Sequence, residues 1–403
     1  MGESAGACTV TRDGAIARRS RVILVLADDF TGAAEIGGIA RSRGLETEIR
    51  TQPAASSSAE AVVIDSDTRW RSAEEAARLI AAAAEPLRTL PACSHFKKVD
   101  SVLRGPVRAE LEALLRATSK RRVLLVPANP SLGRTIRDGL YLVEGVPINE
   151  TGFADDPEHP VRSARVLDML GQSGALAVRV VRLGETMPSD GILVGETVRE
   201  EDVHAWAERL DAETLAAGGA SLFRAIVELA GRFPLGPPSA PPPRQLGPTL
   251  FVCASASAYS RAFCEDASRH ALPVAGIAAR LLADDAQAWR AWAERAAEGL
   301  LERRVAILRI EPPIPAAPDF PRTLRTLFAR AVEHVLGRVP LADLYVEGGS
   351  TASTLVRHLG WHRMRVQRAL APGVVRLSVI GLDQPSLTVK PGSYSWPPEI
   401  RPF

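Results

Sequence analysis

The sequence predicts an α/β fold of two domains, each a largely parallel sheet flanked by helices, and three observations support this prediction. Short aliphatic runs alternate with amphipathic stretches along the chain, which is typical of parallel β–α units. The chain has 403 residues, more than a single hydrophobic core usually fills. The segment FPLGPPSAPPPRQLGP at 233–248 interrupts the alternation, and its prolines suit neither a helix nor a central strand. We interpret it as an interdomain linker, with a long surface loop as the alternative.

The aliphatic runs give the expected strands in order. Each is a short, nearly continuous apolar run, which indicates a strand buried on both faces. The expected strands are 22–27, 61–65, 122–128, 175–181 and 191–195 before the linker, and 249–255, 304–310, 343–349, 374–381 and 386–392 after it. The resulting division is a mobile leader at 1–20, a first domain at 21–232 and a second domain at 249–403.

Composition excludes several classes of protein. The net charge of +2 comes from scattered basic residues, whereas a nucleic-acid-binding protein usually has a basic face. No apolar stretch approaches the length of a membrane span, and the run that follows Arg21 stops at Asp28, too early for a signal-peptide core. Four cysteines without a C-x-x-C pair fit a reduced, cytoplasmic protein.

The first candidate site follows the first strand, in LVLADDFTGAAEIGG at 24–38. Ligands of open parallel sheets bind at the carboxyl ends of strands, where Asp28 and Asp29 are expected. The helix that starts near Thr31 and Gly32 would offer amide groups to an anion or a hydroxyl-rich ligand. The alternative is that one aspartate only caps this helix, but two adjacent aspartates are harder to explain in that way.

Two further polar clusters are expected at the same edge of the sheet. The first lies at the end of the second strand, in VVIDSDTRW at 62–70, and the second, HFKKVDSVLRGPV, spans 95–107. Arginine and lysine suit a carboxylate, and aspartates accept hydroxyl protons, so these clusters predict a site for a small polyhydroxy acid. A solvated, charged turn is the alternative for the second cluster. The polar residues concerned are Asp65, Asp67, Thr68 and Arg69, then Lys97, Lys98, Asp100, Ser101 and Arg104.

After the linker, LYVEGGSTASTLVRHLG predicts a strand, a turn at Gly348 and Gly349, and then a helix that begins near Ser350 and Thr351. Glycines let the backbone approach a ligand closely, and helix amides favour phosphate. Many β–α turns carry paired glycines, so this pattern is weak by itself. The sequence lacks the P-loop and G-x-G-x-x-G motifs. The missing G-x-G-x-x-G fingerprint disfavours a nucleotide-dependent dehydrogenase.

Several motifs, taken together and in order, resemble the four-carbon acid sugar kinase family. They are ADDFTGA, DTR, KKVDSVLRG, PANPSLGRT and GLYLVEGVPINETGFADDPEHPV before the linker, and VCASAS, EGGSTAS and VKPGS after it. The resemblance implies an ATP-dependent kinase that acts with Mg²⁺ on threonate, erythronate or an oxo derivative. It also implies an active site in the cleft between a sugar-acid domain and a nucleotide domain.

Carried over by position, the resemblance assigns candidate site residues. For the substrate they are Asp28, Asp29, Arg69, Lys98, Val99, Asp100 and Ser101, to which we add Arg104 for its charge and place. For the nucleotide they are Ser255, Gly348, Gly349, Ser350, Thr351 and Gly392. Asp28, Asp29 and Asp100 are the candidate catalytic residues. One of the adjacent aspartates would orient or deprotonate the attacking hydroxyl, while the other fixes the turn or a magnesium-bound water. Which of the two does so stays open, and the metal ligands are unspecified.

The chain departs from the family pattern mainly in the nucleotide half. Ala254 stands where glycine is frequent, Ser350 where an acidic residue is common, and Ser393 to Trp396 replace the usual run to a second glycine. Val102 replaces a frequent threonine in the sugar half. The alternative function is therefore a sugar-acid-binding or regulatory protein that does not act as a kinase. A homodimer is expected only from the general frequency of such assemblies.

Overall fold

The computed structural model describes residues 22–53, 57–85, 92–155, 160–230, 247–284, 287–311 and 319–402. The predicted leader at 1–20 and residues 233–246 of the predicted linker lie outside these residues. Among the helices of the described ranges, none has both the length and the hydropathy that a membrane span requires.

The first half of the chain alternates strands with helices, and a small hairpin region interrupts this alternation. Its strands are β1 (Val22–Ala27), β2 (Thr47–Arg50), β3 (Ala61–Asp65), β4 (Ala92–Lys98), β5 (Arg122–Val126), β6 (Arg134–Arg137), β7 (Leu140–Val143), β8 (Val146–Pro147), β9 (Val178–Val181), β10 (Gly191–Gly195) and β11 (Thr214–Gly218). Its helices are α1 (Phe30–Ser42), α2 (Ala73–Ala84), α3 (Val107–Ala117), α4 (Val166–Met169), α5 (Glu200–Glu208) and α6 (Ala220–Leu229).

The second half continues the alternation and ends in three strands with short connections. Its strands are β12 (Thr249–Cys253), β13 (Val274–Ala278), β14 (Val305–Glu311), β15 (Asp343–Glu347), β16 (Arg363–Ala371), β17 (Val374–Val379) and β18 (Ser386–Lys390). Its helices are α7 (Ala258–Arg269), α8 (Ala279–Asp284), α9 (Ala288–Arg303), α10 (Phe320–Arg338) and α11 (Gly349–His358).

The predicted α/β class with largely parallel strands is confirmed. Within the described residues, fifteen strands form one sheet in the order β13-β14-β12-β15-β18-β17-β16-β2-β3-β1-β4-β11-β5-β10-β9. Its pairs are parallel except at β17–β18, β16–β17 and β16–β2. The antiparallel pair of β16 with β2 joins the two sets of parallel strands edge to edge, with Met364 opposite Ile49. A separate antiparallel sheet contains β6, β7 and β8.

Parallel register brings the ends of three central strands together. β1 lies between β3 and β4, and Ala27, its last residue, is opposite both Asp65 and Lys98. The carboxyl ends of parallel strands meet at one edge of a sheet. Asp28, which follows Ala27, therefore emerges next to Asp65 and Lys98, as the sequence predicted for this edge.

Helix α1 packs across the junction of the two halves because it is rich in small residues. A Cβ atom added to Gly37 would lie 2.9 Å from Cγ2 of Val366 in β16, and one added to Gly38 would lie 3.0 Å from Cγ2 of Val375 in β17. Side chains at these two positions would push the helix away from both strands. The small-residue segment after the aspartate pair thus lets a helix of the first half lie directly on strands of the second.

Candidate active site

Asp28 and Asp29 follow β1 and have different environments. Asp29 is the N-cap of α1: its Oδ1 accepts a hydrogen bond from the Gly32 amide at 2.7 Å. The predicted capping role is thus filled by Asp29. Asp28 is 2 % exposed, and its Oδ1 has no hydrogen-bond partner among the described residues. Burial favours a higher pKa for Asp28, yet the charges of Arg69, Lys97 and Lys98 hold its pKa below the usual value.

Arg69 joins the aspartate pair to the second polar cluster. Its Nε donates to Oδ2 of Asp28 and its Nη1 to Oδ2 of Asp29, both at 2.8 Å, and its Nη2 lies 3.8 Å from Oδ1 of Asp100. Burial favours a lower pKa for Arg69, but the surrounding carboxylates raise its pKa well above the usual value. The guanidinium is therefore a fixed cation that orients both carboxylates.

The third cluster supplies Lys98, Asp100, Ser101 and Arg104 to the same edge. Arg104 donates to Asp100 through Nε at 2.7 Å and through Nη2 at 3.0 Å. Burial would raise the pKa of Asp100, but Arg69, Arg104 and Lys98 hold that pKa far below its usual value. Nζ of Lys98 donates to the carbonyl of Val99 at 2.9 Å and lies 3.9 Å from Oε2 of Glu35.

These side chains line a polar cleft of about 120 Å³. The cleft brings together six predicted residues: Asp29, Arg69, Lys98, Asp100, Ser101 and Arg104. Asp28 lies behind it, and the Val99 side chain is buried in the core, so Val99 adds only its backbone to this region. The second half of the chain closes one side of the cleft with Pro391, Ser393 and Tyr394.

Sequence reasoning missed five polar cleft residues. Glu35 lies on α1, Asn129 and Arg134 flank the turn that leads into β6, and Ser393 and Tyr394 follow β18. Asn129 and Arg134 belong to PANPSLGRT, a motif that carries part of the family resemblance but was not predicted as part of the site. Polar residues next to a glycine turn are the sequence feature that could have indicated Asn129 and Arg134 as site residues. Only the folded hairpin shows that they line the cleft. Ser393 and Tyr394 belong to the segment in which the chain departs from the family pattern.

The predicted nucleotide residues form two neighbouring groups in the second half. Gly348 and Gly349 stand at the start of α11, and Gly348 has a φ of 89°, a conformation that residues with a side chain rarely adopt. Oγ of Ser255 donates to the carbonyl of Gly392 at 3.1 Å. The Gly348 amide donates to the carbonyl of Lys390 at 2.9 Å, which connects the two turns. A further cavity of about 40 Å³ adjoins Ser255 and is lined by Cys253, Arg261 and Arg309 among others.

The two halves touch directly at the site. A Cβ atom added to Gly349 would lie 2.8 Å from Oδ2 of Asp29 and would also collide with Oγ1 of Thr31. Nε1 of Trp70 donates to Oγ of Ser350 at 3.1 Å. The helix start that carries the paired glycines therefore abuts the aspartate that lines the polar cleft.

A second contact between the halves surrounds Asp65. Its Oδ2 accepts hydrogen bonds from Oγ of Ser353 and Nη2 of Arg357, both at 3.0 Å. Nη1 of Arg357 also donates to the carbonyl of Thr51 at 2.9 Å. Helix α11 is thus fixed to the ends of β2 and β3 by a buried carboxylate and an arginine. Within the described ranges, no group of three or more histidine, cysteine, aspartate or glutamate side chains is arranged to hold a metal ion.

Comparison with solved structures supports the architecture. The chain superimposes on a protein from Salmonella typhimurium LT2, described as a putative tRNA synthase, with a TM-score of 0.75, 20% identity and coverage of 93% of this chain and 96% of that one. Haemophilus influenzae protein HI1011 gives a TM-score of 0.68 at 20% identity, with 92% and 97% of the two chains covered. At this identity the likeness establishes the fold alone.

Sequence comparisons give relatives along most of the chain. A D-threonate kinase of Salmonella typhimurium is 30% identical over 387 residues, which are 87% of this chain and 89% of that protein. A 3-oxo-tetronate kinase of Burkholderia multivorans is 26% identical, with 94% and 96% of the two chains covered. A D-erythronate kinase of Heliobacterium modesticaldum matches 41% of this chain and 39% of its own length at 28% identity.

Family models match both halves in order. The model of a sugar-binding N-terminal domain matches residues 23–226, and that of a nucleotide-binding C-terminal domain matches residues 250–394. The first match alone covers more than half of the chain, and the D-threonate kinase covers most of it at 30% identity. The resemblance seen in the motifs is confirmed: the chain belongs to the four-carbon acid sugar kinase family.

Proposed function

We propose that this protein is an ATP-dependent kinase that phosphorylates a hydroxyl group of a small sugar acid with four carbons or a similar length. The contact between Gly349 and the Asp29–Thr31 turn carries this proposal. It sets the glycine turn of the nucleotide-binding half against the aspartate of the polar cleft, so a phosphate on one side would lie beside a hydroxyl on the other. Relatives named D-threonate, D-erythronate and 3-oxo-tetronate kinase support the substrate class.

In this proposal, the cleft of the first half holds the sugar acid. Asp29 and Asp100 accept hydroxyl protons, and Arg69 keeps both carboxylates oriented by its ion pairs at 2.8 Å and 3.8 Å. Asp29 is the better candidate for the base because it lines the cleft, whereas Asp28 lies behind it. Phosphoryl transfer needs mainly positioning and charge neutralisation, so no covalent intermediate on the protein is required.

The nucleotide would lie along the turns of the second half. The amides at the start of α11, from Gly349 to Thr351, suit phosphate oxygens. Ser255 and Gly392 pack together and extend the same surface. The limits of the two domain-family matches support our division into a sugar-acid domain at 21–232 and a nucleotide domain at 249–403.

The residues present also fit a magnesium ion that arrives with ATP. Mg²⁺ usually keeps several waters and takes one or two carboxylates together with substrate phosphates. Asp28 has a buried Oδ1 without a hydrogen-bond partner among the described residues, and Asp29 is its neighbour. Asp28 would hold the ion, which would supply charge neutralisation on the phosphates, and Asp29 would remain the candidate base.

The test is release of ADP from ATP and Mg²⁺ in the presence of D-threonate, D-erythronate or their 3-oxo forms, with the tetritols erythritol and threitol as uncharged controls. We expect release with at least one acid and none with the tetritols. Sugar acids that raise the melting temperature without any ADP release, while ATP gives no stabilisation, would contradict the kinase. That result would favour the alternative of a sugar-acid-binding protein.

A further inference from the structure

Four cationic side chains line the polar cleft, and three of them already have a carboxylate partner. Arg69 pairs with Asp28 and Asp29 at 2.8 Å. Arg104 pairs with Asp100 at 2.7 Å, and Lys98 lies 3.9 Å from Glu35. The charge of each of these cations is therefore balanced by the protein itself, whatever else they contact.

Arg134 is the fourth cation, and its surroundings differ. Its Nη1 donates to Oγ of Ser101 at 2.5 Å, and its guanidinium carbon lies 5.7 Å from the centre of the Phe153 ring. Both partners are uncharged. In the part of the chain that the structure describes, no carboxylate forms an ion pair with Arg134. A half-buried guanidinium that lines a cleft and has only neutral partners is ready to receive an anion from outside.

The backbone holds this arginine firmly. Arg134 begins β6, and it exchanges two backbone hydrogen bonds with Asn129, at 2.9 and 3.0 Å, across the turn that enters this strand. Ser101 accepts the hydrogen bond from the guanidinium of Arg134. The backbone of Ser101 is itself held in place, because the Tyr141 hydroxyl donates a hydrogen bond to the Ser101 carbonyl at 2.5 Å. The forked donors of Arg134 are thus preorganised, so little conformational entropy would be lost when a planar anion binds.

We propose that Arg134 binds the carboxylate of the substrate and so selects sugar acids over uncharged sugars. This inference rests on the proposed function, since it names the residue that recognises the acid group in the same cleft. Arg134 makes no hydrogen bond with the aspartate pair. A substrate carboxylate on Arg134 would therefore not compete with Asp29 for this arginine, and a hydroxyl of the same substrate could reach Asp29, which lines the same cleft.

The experiment compares Arg134→Met with Arg137→Met in the full-length protein. Arg137 ends the same strand but is exposed and does not line the cleft, so its replacement removes an equal charge without touching the site. Binding of D-threonate and D-erythronate is measured by calorimetry without nucleotide. For whichever acid binds the wild type, we expect Arg134→Met to raise Kd about 10- to 100-fold and Arg137→Met to leave it unchanged. Arg134→Lys should bind the acid more tightly than Arg134→Met but less tightly than the wild type, because lysine keeps the positive charge but lacks the forked donors of the guanidinium.

Turnover measured on the same variants separates this inference from the kinase proposal. Wild-type binding of an acid without ADP release would contradict the kinase, while the calorimetry still decides the role of Arg134. ADP release with equal KM for the acid in wild type and Arg134→Met would overturn the role of Arg134 and leave the kinase intact. A wild type that neither binds nor phosphorylates these acids would overturn both. Matched melting temperatures of the Met variants exclude a folding defect as the cause.

Discussion

Gly349 and Asp29 lie against each other across the junction of the two halves, so close that a Cβ atom on Gly349 would lie 2.8 Å from Oδ2 of Asp29. The glycine belongs to the nucleotide-binding half and the aspartate to the sugar-binding half. Position 349 requires glycine because Asp29 leaves no room for a Cβ atom, whereas position 348 requires glycine because its backbone φ is positive. The two candidate sites therefore share one contact surface.

The first prediction concerns Gly349→Val. The added side chain would collide with Asp29 and Thr31 and push α11 away from the cleft. A displacement of about 1 Å costs about 100-fold in rate when reacting groups must be aligned, so kcat should fall by about that factor. Steady-state kinetics with both substrates varied would measure it.

Gly337→Ala is the matched control for this change. Gly337 lies in α10 of the same half, and nothing would meet its added Cβ within 4 Å. We expect wild-type kinetics and an equal or slightly higher melting temperature, because alanine favours a helix over glycine by about 1 kcal/mol. Wild-type turnover in Gly349→Val would show that the contact between the halves is not needed for catalysis.

The second prediction separates the two roles of Asp29. Asparagine caps helices about as well as aspartate, so Asp29→Asn should keep the hydrogen bond from the Gly32 amide. The variant loses the ion pair with Arg69, which keeps Asp28 as a partner, so its melting temperature should be lower than that of the wild type. Loss of the carboxylate removes the candidate base, and turnover should fall about 100- to 10,000-fold.

The helix cap of α2 provides the control for Asp29. Ser72 accepts a hydrogen bond from the Glu75 amide at 3.2 Å, and Ser72→Asn exchanges one good cap for another outside the cleft. This variant should keep both stability and turnover. If Asp29→Asn turns over like the wild type, the Asp29 carboxylate is not the base, and Asp28 becomes the candidate base.

Most of the strands that the sequence predicted are rich in aliphatic residues, although the apolar strands β11 and β13 were missed. The expected strands at 22–27, 61–65 and 191–195 coincide with β1, β3 and β10. The two strands that join the halves, β2 and β16, were missed because their sequences, TEIR and RMRVQRALA, are rich in charge. Their charges pair with one another in the fold, for example Glu48 with Arg363 at 2.6 Å and with Arg50 at 2.8 Å. Such pairing neutralises polar strands, and no local pattern of apolar residues reveals it.

The residues of the candidate site also divide into those that the sequence predicted and those that it did not. Asp29, Arg69 and Lys98 were predictable because the carboxyl ends of neighbouring parallel strands must share an edge. Arg134 and Tyr394 were not, since they reach the cleft from a hairpin and from the end of the other half. Long-range packing of this kind depends on how the halves meet, which the order of strands and helices along the chain does not determine.

The third prediction concerns the pH dependence of stability and Asp65. Burial raises the pKa of Asp65 to about 7 against the attraction of Arg357, and Asp67 and Asp29 add to the rise. The folded protein therefore keeps this proton up to about pH 7, whereas the unfolded chain releases it near pH 3.8. Between these values the folded state binds more protons, so the contribution of Asp65 to the free energy of unfolding decreases as pH rises.

Asp65→Asn removes this titration. Its free energy of unfolding should fall less steeply between pH 4.5 and 7 than that of the wild type, by up to about 1.4 kcal/mol per pH unit. Urea unfolding across that range measures the two slopes. Asp190→Asn, at an exposed position, should keep the wild-type slope. Identical slopes for wild type and Asp65→Asn would mean that Asp65 is ionised throughout the range.

The last prediction concerns the buried ion pair at the ends of β15 and β18. Nζ of Lys390 lies 3.1 Å from Oε1 of Glu347, without the alignment of a hydrogen bond, and both side chains are at most 1% exposed. Oε2 of Glu347 accepts from Oγ of Ser260 at 2.6 Å. Lys390→Met would leave the carboxylate buried without its counter-charge, which costs about 3–5 kcal/mol. Chemical denaturation should show a loss of that size.

The double variant Lys390→Met with Glu347→Leu tests the cause of this loss. Replacing both members of a buried pair by apolar residues is often neutral or stabilising, so the double variant should be more stable than Lys390→Met alone. The exposed pair of Arg322 and Asp319 at 3.1 Å is the control, because an exposed ion pair contributes little and Arg322→Met should leave the denaturation midpoint nearly unchanged. A double variant as unstable as Lys390→Met would show that the lysine stabilises the fold through its packing and not through Glu347. Its ammonium lies 5.0 Å from the centre of the Trp396 ring, so the contact with that ring would then be the one to test.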